Sequence, residues 1–129
     1  MTTKGAESLE LPLPKRALGA TGLMVHPLCF GTAELGDLAN VFPYAVGEEQ
    51  ALATARAIFD GPIIFLDTAA GYGESERRIG IALRERGGLP PDFVLSTKAG
   101  CGFPDGDVGG GHIRRGVERS LRLLGLDRL

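Results

Sequence analysis

The sequence predicts an α/β fold built on a parallel sheet, and three observations carry that prediction. Apolar runs at residues 63–67 and 93–98 have strand length and no polar alternation. Each is preceded by a stretch with apolar residues at helical spacing, and a third such stretch closes the chain. The connections are short and marked by glycine and proline. Strands that alternate with helices in this way make parallel pairs with right-handed crossovers. A doubly wound sheet and a (β/α)₈ barrel both begin like this, and the pattern alone does not separate them.

In chain order, residues 1–14 lack periodicity and read as a flexible leader. Arg16, Ala17 and Leu18 lead into a turn with Gly19 and Gly22, and Leu23, Met24 and Val25 return as a hairpin. Leu28, Cys29 and Phe30, followed by Gly31 and Thr32, read as a short buried strand. Residues 48–60 form a helix with Leu52, Ala55, Ile58 and Phe59 on one face. Glu48 and Glu49 suit its positive end, and Gly61 and Pro62 stop it. The strand at 63–67 should be covered on both faces. Ser75 is placed to cap the next helix, in which Ile79, Ala82 and Leu83 share a face and which Gly87 and Gly88 end. Residues 93–98 form another strand. The glycine-rich stretch 100–111 reads as a loop, and its last glycines, 109–111, read as part of a mobile substrate-side loop, with a phosphate cradle at the helix start as the alternative. A last helix from His112 carries Ile113, Val117, Leu121 and Leu124 on one stripe, with Gly125 at its end.

Composition narrows the function classes. A net charge of −2 leaves no electrostatic footprint for nucleic acid or an anionic membrane. No apolar run reaches membrane-spanning length, and the N-terminus lacks the apolar core of a signal peptide. Cys29 and Cys101 show no paired spacing, as expected for reduced thiols in the cytoplasm.

The chemistry concentrates at the strand ends. Asp67 ends one apolar run, Tyr72 follows in a glycine-flanked turn, and Lys98 ends the next run. In parallel α/β folds, functional groups gather at the carboxyl ends of the strands. Alternation puts Ile63, Phe65 and Asp67 on one face, and Val94, Ser96 and Lys98 on one face. Asp67 and Lys98 can therefore meet over one cavity with Tyr72 above them. A free phenol has a pKa near about 10, too high for easy proton loss at neutrality. A lysine cation nearby stabilises the phenolate, and an aspartate holds that cation in place. Such a tyrosine serves as a general acid or base. The plainer alternatives are that Asp67 caps a turn, Tyr72 packs in a loop and Lys98 extends to solvent.

Other arrangements fail. The Gly-Tyr-Gly-Glu-Ser-Glu run has Glu76 where a dinucleotide-binding loop needs its third glycine. The run from Gly73 to Arg77 lacks the second glycine of a nucleophile elbow. No histidine or cysteine falls at metal-ligand spacing. His112 reads as a solvated helix-start residue, and His26 lies at the opposite end of the sheet.

These residues closely resemble the aldo-keto reductase family. The likeness runs through Arg-Ala-Leu-Gly-Ala-Thr-Gly-Leu at 16–23 and Leu-Cys-Phe-Gly-Thr at 28–32. It continues in Leu-Asp-Thr-Ala-Ala-Gly-Tyr-Gly-Glu-Ser-Glu at 66–76, Leu-Ser-Thr-Lys at 95–98 and the segment 121–129. The branch that oxidises free sugars is the nearest in character. The resemblance implies the N-terminal part of a (β/α)₈ TIM barrel with an N-terminal β-hairpin closing its base, about three of eight βα units being present. It implies hydride transfer between a nicotinamide dinucleotide, NADP or NAD, and an aldehyde, ketone or aldose. Tyr72 matches the family's proton donor, Lys98 the residue that tunes it, and Asp67 the lysine's partner. Gly31, Thr32 and Asp67 match positions near the cofactor.

The family's fourth catalytic group, a histidine, follows a Leu-Gly-x-Asp-x-Leu segment, and this chain ends on that segment. The expectation is therefore a partial barrel domain over 15–129, truncated before the fourth strand and inactive alone. Its last strand should carry an unpaired edge and its inner face should lie uncovered. A non-catalytic partial barrel that senses nucleotide or binds a partner is the alternative.

Overall fold

The computed structural model describes residues 13–100 and 109–129. Nearly all of the expected leader, Cys101 and most of the glycine-rich loop lie outside the described residues.

β1 (Arg16–Ala17) and β2 (Met24–Val25) pair antiparallel, with Arg16 opposite Val25 and Ala17 opposite Met24. The Thr21 hydroxyl donates to the Leu18 carbonyl at 2.6 Å and closes the turn. This is the expected hairpin.

A second sheet holds β3 (Phe30–Gly31), β4 (Phe65–Asp67) and β5 (Val94–Ser96), parallel and in that order. Gly31 lies opposite Asp67, and Asp67 opposite Ser96. α1 (Glu48–Asp60) connects β3 to β4, α2 (Ser75–Arg86) connects β4 to β5, and α3 (Gly110–Leu124) follows β5. The strand–helix alternation thus yields the parallel crossovers it predicts. No helix among the described residues is long and apolar enough to cross a membrane.

The core lies between the sheet and the helices. Leu66 is fully buried there with Ile79 and Leu83 of α2, Ile58 and Phe59 of α1, and Leu124 of α3. Phe59 and Phe93 meet edge to face at 5.1 Å. On α1 the buried positions are Ala51, Ala55, Ile58 and Phe59. Ala51 takes the place expected of Leu52, because a methyl group permits closer packing.

Five expectations need correction. The strand at 63–67 is covered on one face only: Leu66 is buried while Phe65 and Asp67 remain half-buried, because no element among the described residues covers the inner face. Leu28 is 56% exposed, so the first strand is not buried along its length. Ser75 does not cap α2. It is the first helical residue after Glu74 and turns its hydroxyl into the core. On α3 the buried positions are His112, Gly116, Ser120 and Leu124, while Ile113 is exposed. His112 is therefore buried and not solvated. The small residues of this stripe permit close helix packing, and at Gly80 of α2 a Cβ would run into the Leu123 backbone.

Candidate active site

Asp67 closes β4, and Lys98 stands two residues beyond the end of β5, both at the carboxyl ends of the parallel strands. Tyr72 follows in the β4–α2 loop. That loop is held by its own turn, where the Tyr72 N–H donates to the Ala69 carbonyl and the Ser75 N–H to the Tyr72 carbonyl. From outside, the short 3₁₀ turn Glu34–Gly36 lies directly against it. Gly36 and Gly73 meet there backbone to backbone, and a Cβ on either would overlap the other segment. Arg78 reaches back from α2 and donates to the carbonyls of Leu35 at 2.8 Å and Val46 at 3.0 Å, fastening both ends of the first loop.

The three groups named from the sequence come together. The Lys98 ammonium donates to Asp67 Oδ2 at 2.5 Å, to the Thr68 carbonyl at 3.0 Å and to Tyr72 Oη at 3.1 Å. An ammonium has three N–H donors, so all of them are assigned. Because Lys98 can only donate, Tyr72 Oη accepts, and the phenol's own proton is left to point toward another acceptor. Burial pulls the Lys98 pKa down, but hydrogen bonds to Asp67 and then Tyr72 outweigh it, and the net direction is upward. Lys98 thus stays cationic beside the phenol.

Asp67 is fixed in turn. Its Oδ1 accepts from the Ser96 hydroxyl at 3.0 Å, and its carbonyl accepts from the Thr32 hydroxyl at 2.9 Å. Since Thr32 gives its proton to Asp67, Ser75 donates to Thr32, and Thr68 donates to Ser75 at 3.1 Å. This buried run of hydroxyls ties the ends of β3 and β4 to the start of α2. Of the two residues matched to the cofactor beside Asp67, Gly31 is exposed with open space over its Cα. Thr32 is fully buried, with its hydroxyl committed to Asp67.

His26 is distant from this end. Its Nδ1 accepts from the Ile64 N–H at 3.1 Å, at the start of β4. A groove of about 810 Å³ also lies away from the site, between the hairpin, the segment before β5 and the residues after α3. None of Asp67, Tyr72 or Lys98 lines it, so it is not the reaction centre.

Three contributors had no role in the sequence reading. Ser96 holds the free oxygen of Asp67, and its alternation with Lys98 was the available signal. The Thr68 carbonyl takes one donor of Lys98, a backbone contact that no side-chain pattern announces. Cys29 belongs to the same neighbourhood: burial and then the Asp67 charge push its thiol up, with Lys98 opposing.

Comparisons with known proteins place the chain in a family. The aldo/keto reductase family model matches residues 27–129. L-galactose dehydrogenase of Arabidopsis thaliana is 35% identical over 114 residues, covering 87% of this chain and 34% of its own. D-threo-aldose 1-dehydrogenase of a Pseudomonas species is 39% identical over 87 residues, covering 65% of this chain and 24% of its own. Among solved structures, an aldo-keto reductase of Bacillus halodurans in its holo form superposes with a TM-score of 0.68 at 32% identity. That match covers 89% of this chain and 37% of the other. The chain thus spans about a quarter to a third of the curated relatives named here. With the family match extending over most of its length and the strand-end groups in place, the chain belongs to the aldo-keto reductase family.

Proposed function

We propose that this chain carries the proton-transfer groups of an NAD(P)-dependent oxidoreductase that interconverts a carbonyl (aldehyde, ketone or aldose) with an alcohol or lactone. The observation that carries the reading is the threefold engagement of the Lys98 ammonium by Asp67, the Thr68 carbonyl and Tyr72. It leaves Tyr72 as acceptor from lysine and as donor toward a substrate oxygen. In reduction, Tyr72 gives its proton to the carbonyl oxygen, and Lys98 stabilises the negative charge left on the phenol. In oxidation of a sugar hydroxyl, Tyr72 takes the proton back. Asp67 keeps Lys98 charged and aimed through both directions.

A nicotinamide dinucleotide, when bound, supplies or accepts the hydride. The open space over Gly31 and the part-exposed Asp67 beside it fit such a group on the inner face. Thr32 serves it indirectly, by holding the Asp67 carbonyl. The printed activities of the two dehydrogenase relatives favour an aldose as substrate. The free Cys29 thiol and the net charge of −2 favour a cytoplasmic protein acting on small molecules, not on nucleic acid or a membrane.

The 129 residues alone are expected to show no turnover, because the groups here cover proton transfer and one side of the cofactor. The test joins this chain to the remaining strands of the Bacillus halodurans relative. The chimera should consume reduced nicotinamide cofactor in the presence of aldehydes. Tyr72→Phe should lower its turnover by about a hundredfold or more. A Tyr72→Phe chimera as active as its parent would overturn the assignment.

A further inference from the structure

Glu76, on the first turn of α2, is 1% exposed. Its Oε1 accepts a 2.7 Å hydrogen bond from the Thr97 hydroxyl, and its Oε2 faces Arg119 of α3 at 3.6 Å. Shutting a carboxyl away from water is costly, and the cost is sustained only where partners are fixed around it. Here the partner is Thr97, which sits between Ser96 and Lys98, the two residues of this segment that bond Asp67. Alternation turns the Thr97 side chain to the helix-covered face while its neighbours face the site.

We propose that Glu76 is a positioning residue for Lys98. Through Thr97 it holds the backbone beyond β5 in the rotation that aims the ammonium at Asp67 and Tyr72. Two bonds already secure one edge of this segment: the Thr68 N–H donates to the Ser96 carbonyl at 2.8 Å, and the Ala70 N–H to the Lys98 carbonyl at 3.4 Å. Both act in the plane of the sheet, and the bonds of Ser96 and Lys98 to Asp67 act from its inner face. The Glu76–Thr97 bond adds a restraint on rotation from the outer face. α3 takes part because Gly80 admits the Leu123 backbone and Arg84 donates to the Leu123 carbonyl at 3.2 Å, which brings Arg119 alongside Glu76.

This role rests on the reading of Lys98 as the lysine that tunes Tyr72. Its test reads Lys98 directly and needs no turnover, so failure of one is distinguishable from failure of the other. The chain has only three lysines, Lys4, Lys15 and Lys98. Competitive acetylation read by mass spectrometry therefore gives Lys98 reactivity against Lys15 as an internal reference.

Thr97→Val removes the hydroxyl at nearly constant shape. It should raise the Lys98-to-Lys15 ratio by about threefold or more, the lower end of what a lost hydrogen bond produces, with an unchanged circular dichroism spectrum. Thr97→Ser should restore the ratio, and Glu76→Ala should reproduce the rise. A merely structural role would lower the unfolding midpoint and leave the ratio at its wild-type value. That result in Thr97→Val overturns the proposal, and so does an equal rise in Thr97→Ser. Should Glu76→Ala fail to fold, the Thr97 pair decides.

Discussion

The two faces of the three-stranded sheet differ in how far they are closed. On the helix side, Leu66 packs with Ile79, Leu83 and Leu124, each 1% exposed or less. On the inner side, the Asp67 and Lys98 side chains are 33% and 42% exposed, and Phe65 is half-buried. A single strand, β4, serves both. Alternation sends its even position into the core and its odd positions toward the chemistry. The difference teaches that cohesion and reactivity are separated across the thickness of one sheet, so each can be perturbed with little effect on the other.

The largest expected effect breaks the covered face. Leu66→Ala should cost about 2–5 kcal/mol of unfolding free energy, the range for a fully buried leucine. Phe65→Ala, one residue away on the open face, should cost less than half as much. Urea unfolding of both variants checks this, and equal losses would show that the inner face carries as much cohesion as the outer.

Gly80→Ala comes next. The overlap with the Leu123 backbone should cost about 1–3 kcal/mol, which outweighs the ~1 kcal/mol that alanine gains over glycine inside a helix. Thermal unfolding gives the sign. A stabilised variant would mean that α2 and α3 separate without loss.

The smallest effect belongs to the open face. Lys98 has a folded-state pKa raised above the ordinary lysine value, because the bonds to Asp67 and Tyr72 outweigh its burial. Its contribution is therefore complete below the ordinary value and lost as pH rises through the folded one. Wild-type protein should lose stability faster than Lys98→Met in that alkaline range, by a modest margin because the Lys98 side chain is 42% exposed. Parallel stability–pH curves for the two would remove the argument.

Much of the candidate site was legible because its signals are one-dimensional. Asp67 and Lys98 end apolar runs, and the period of a strand places them on the same face. The hairpin and the buried face of α2 were legible for the same reason. What escaped the sequence depends on partners distant along the chain. A serine at a helix start signals a local cap, yet Ser75 bonds Thr32, 43 positions away. Glu76 and Arg78 look like charges on a solvated helix, yet both are buried against carbonyls, a hydroxyl or a guanidinium from other elements. On α3 the apolar stripe was plain, but backbone contact at Gly80 favours the face with Gly116 and Ser120. Periodicity ranks faces by hydrophobicity and takes no account of how closely two backbones approach.

The parallel order of the sheet also has a kinetic consequence. Lys98 is 31 positions from Asp67, 30 from Thr68 and 26 from Tyr72, so none of its three contacts is local. Each parallel ladder must close a loop of comparable length before any pairing rewards it, and loop-closure entropy slows that step. The hairpin β1–β2, with its short turn, can form early, but it orders nothing near Tyr72. The site is therefore a late product of folding: it exists only once the crossover from β4 to β5 has closed, and a chain still on its way has the residues without the geometry.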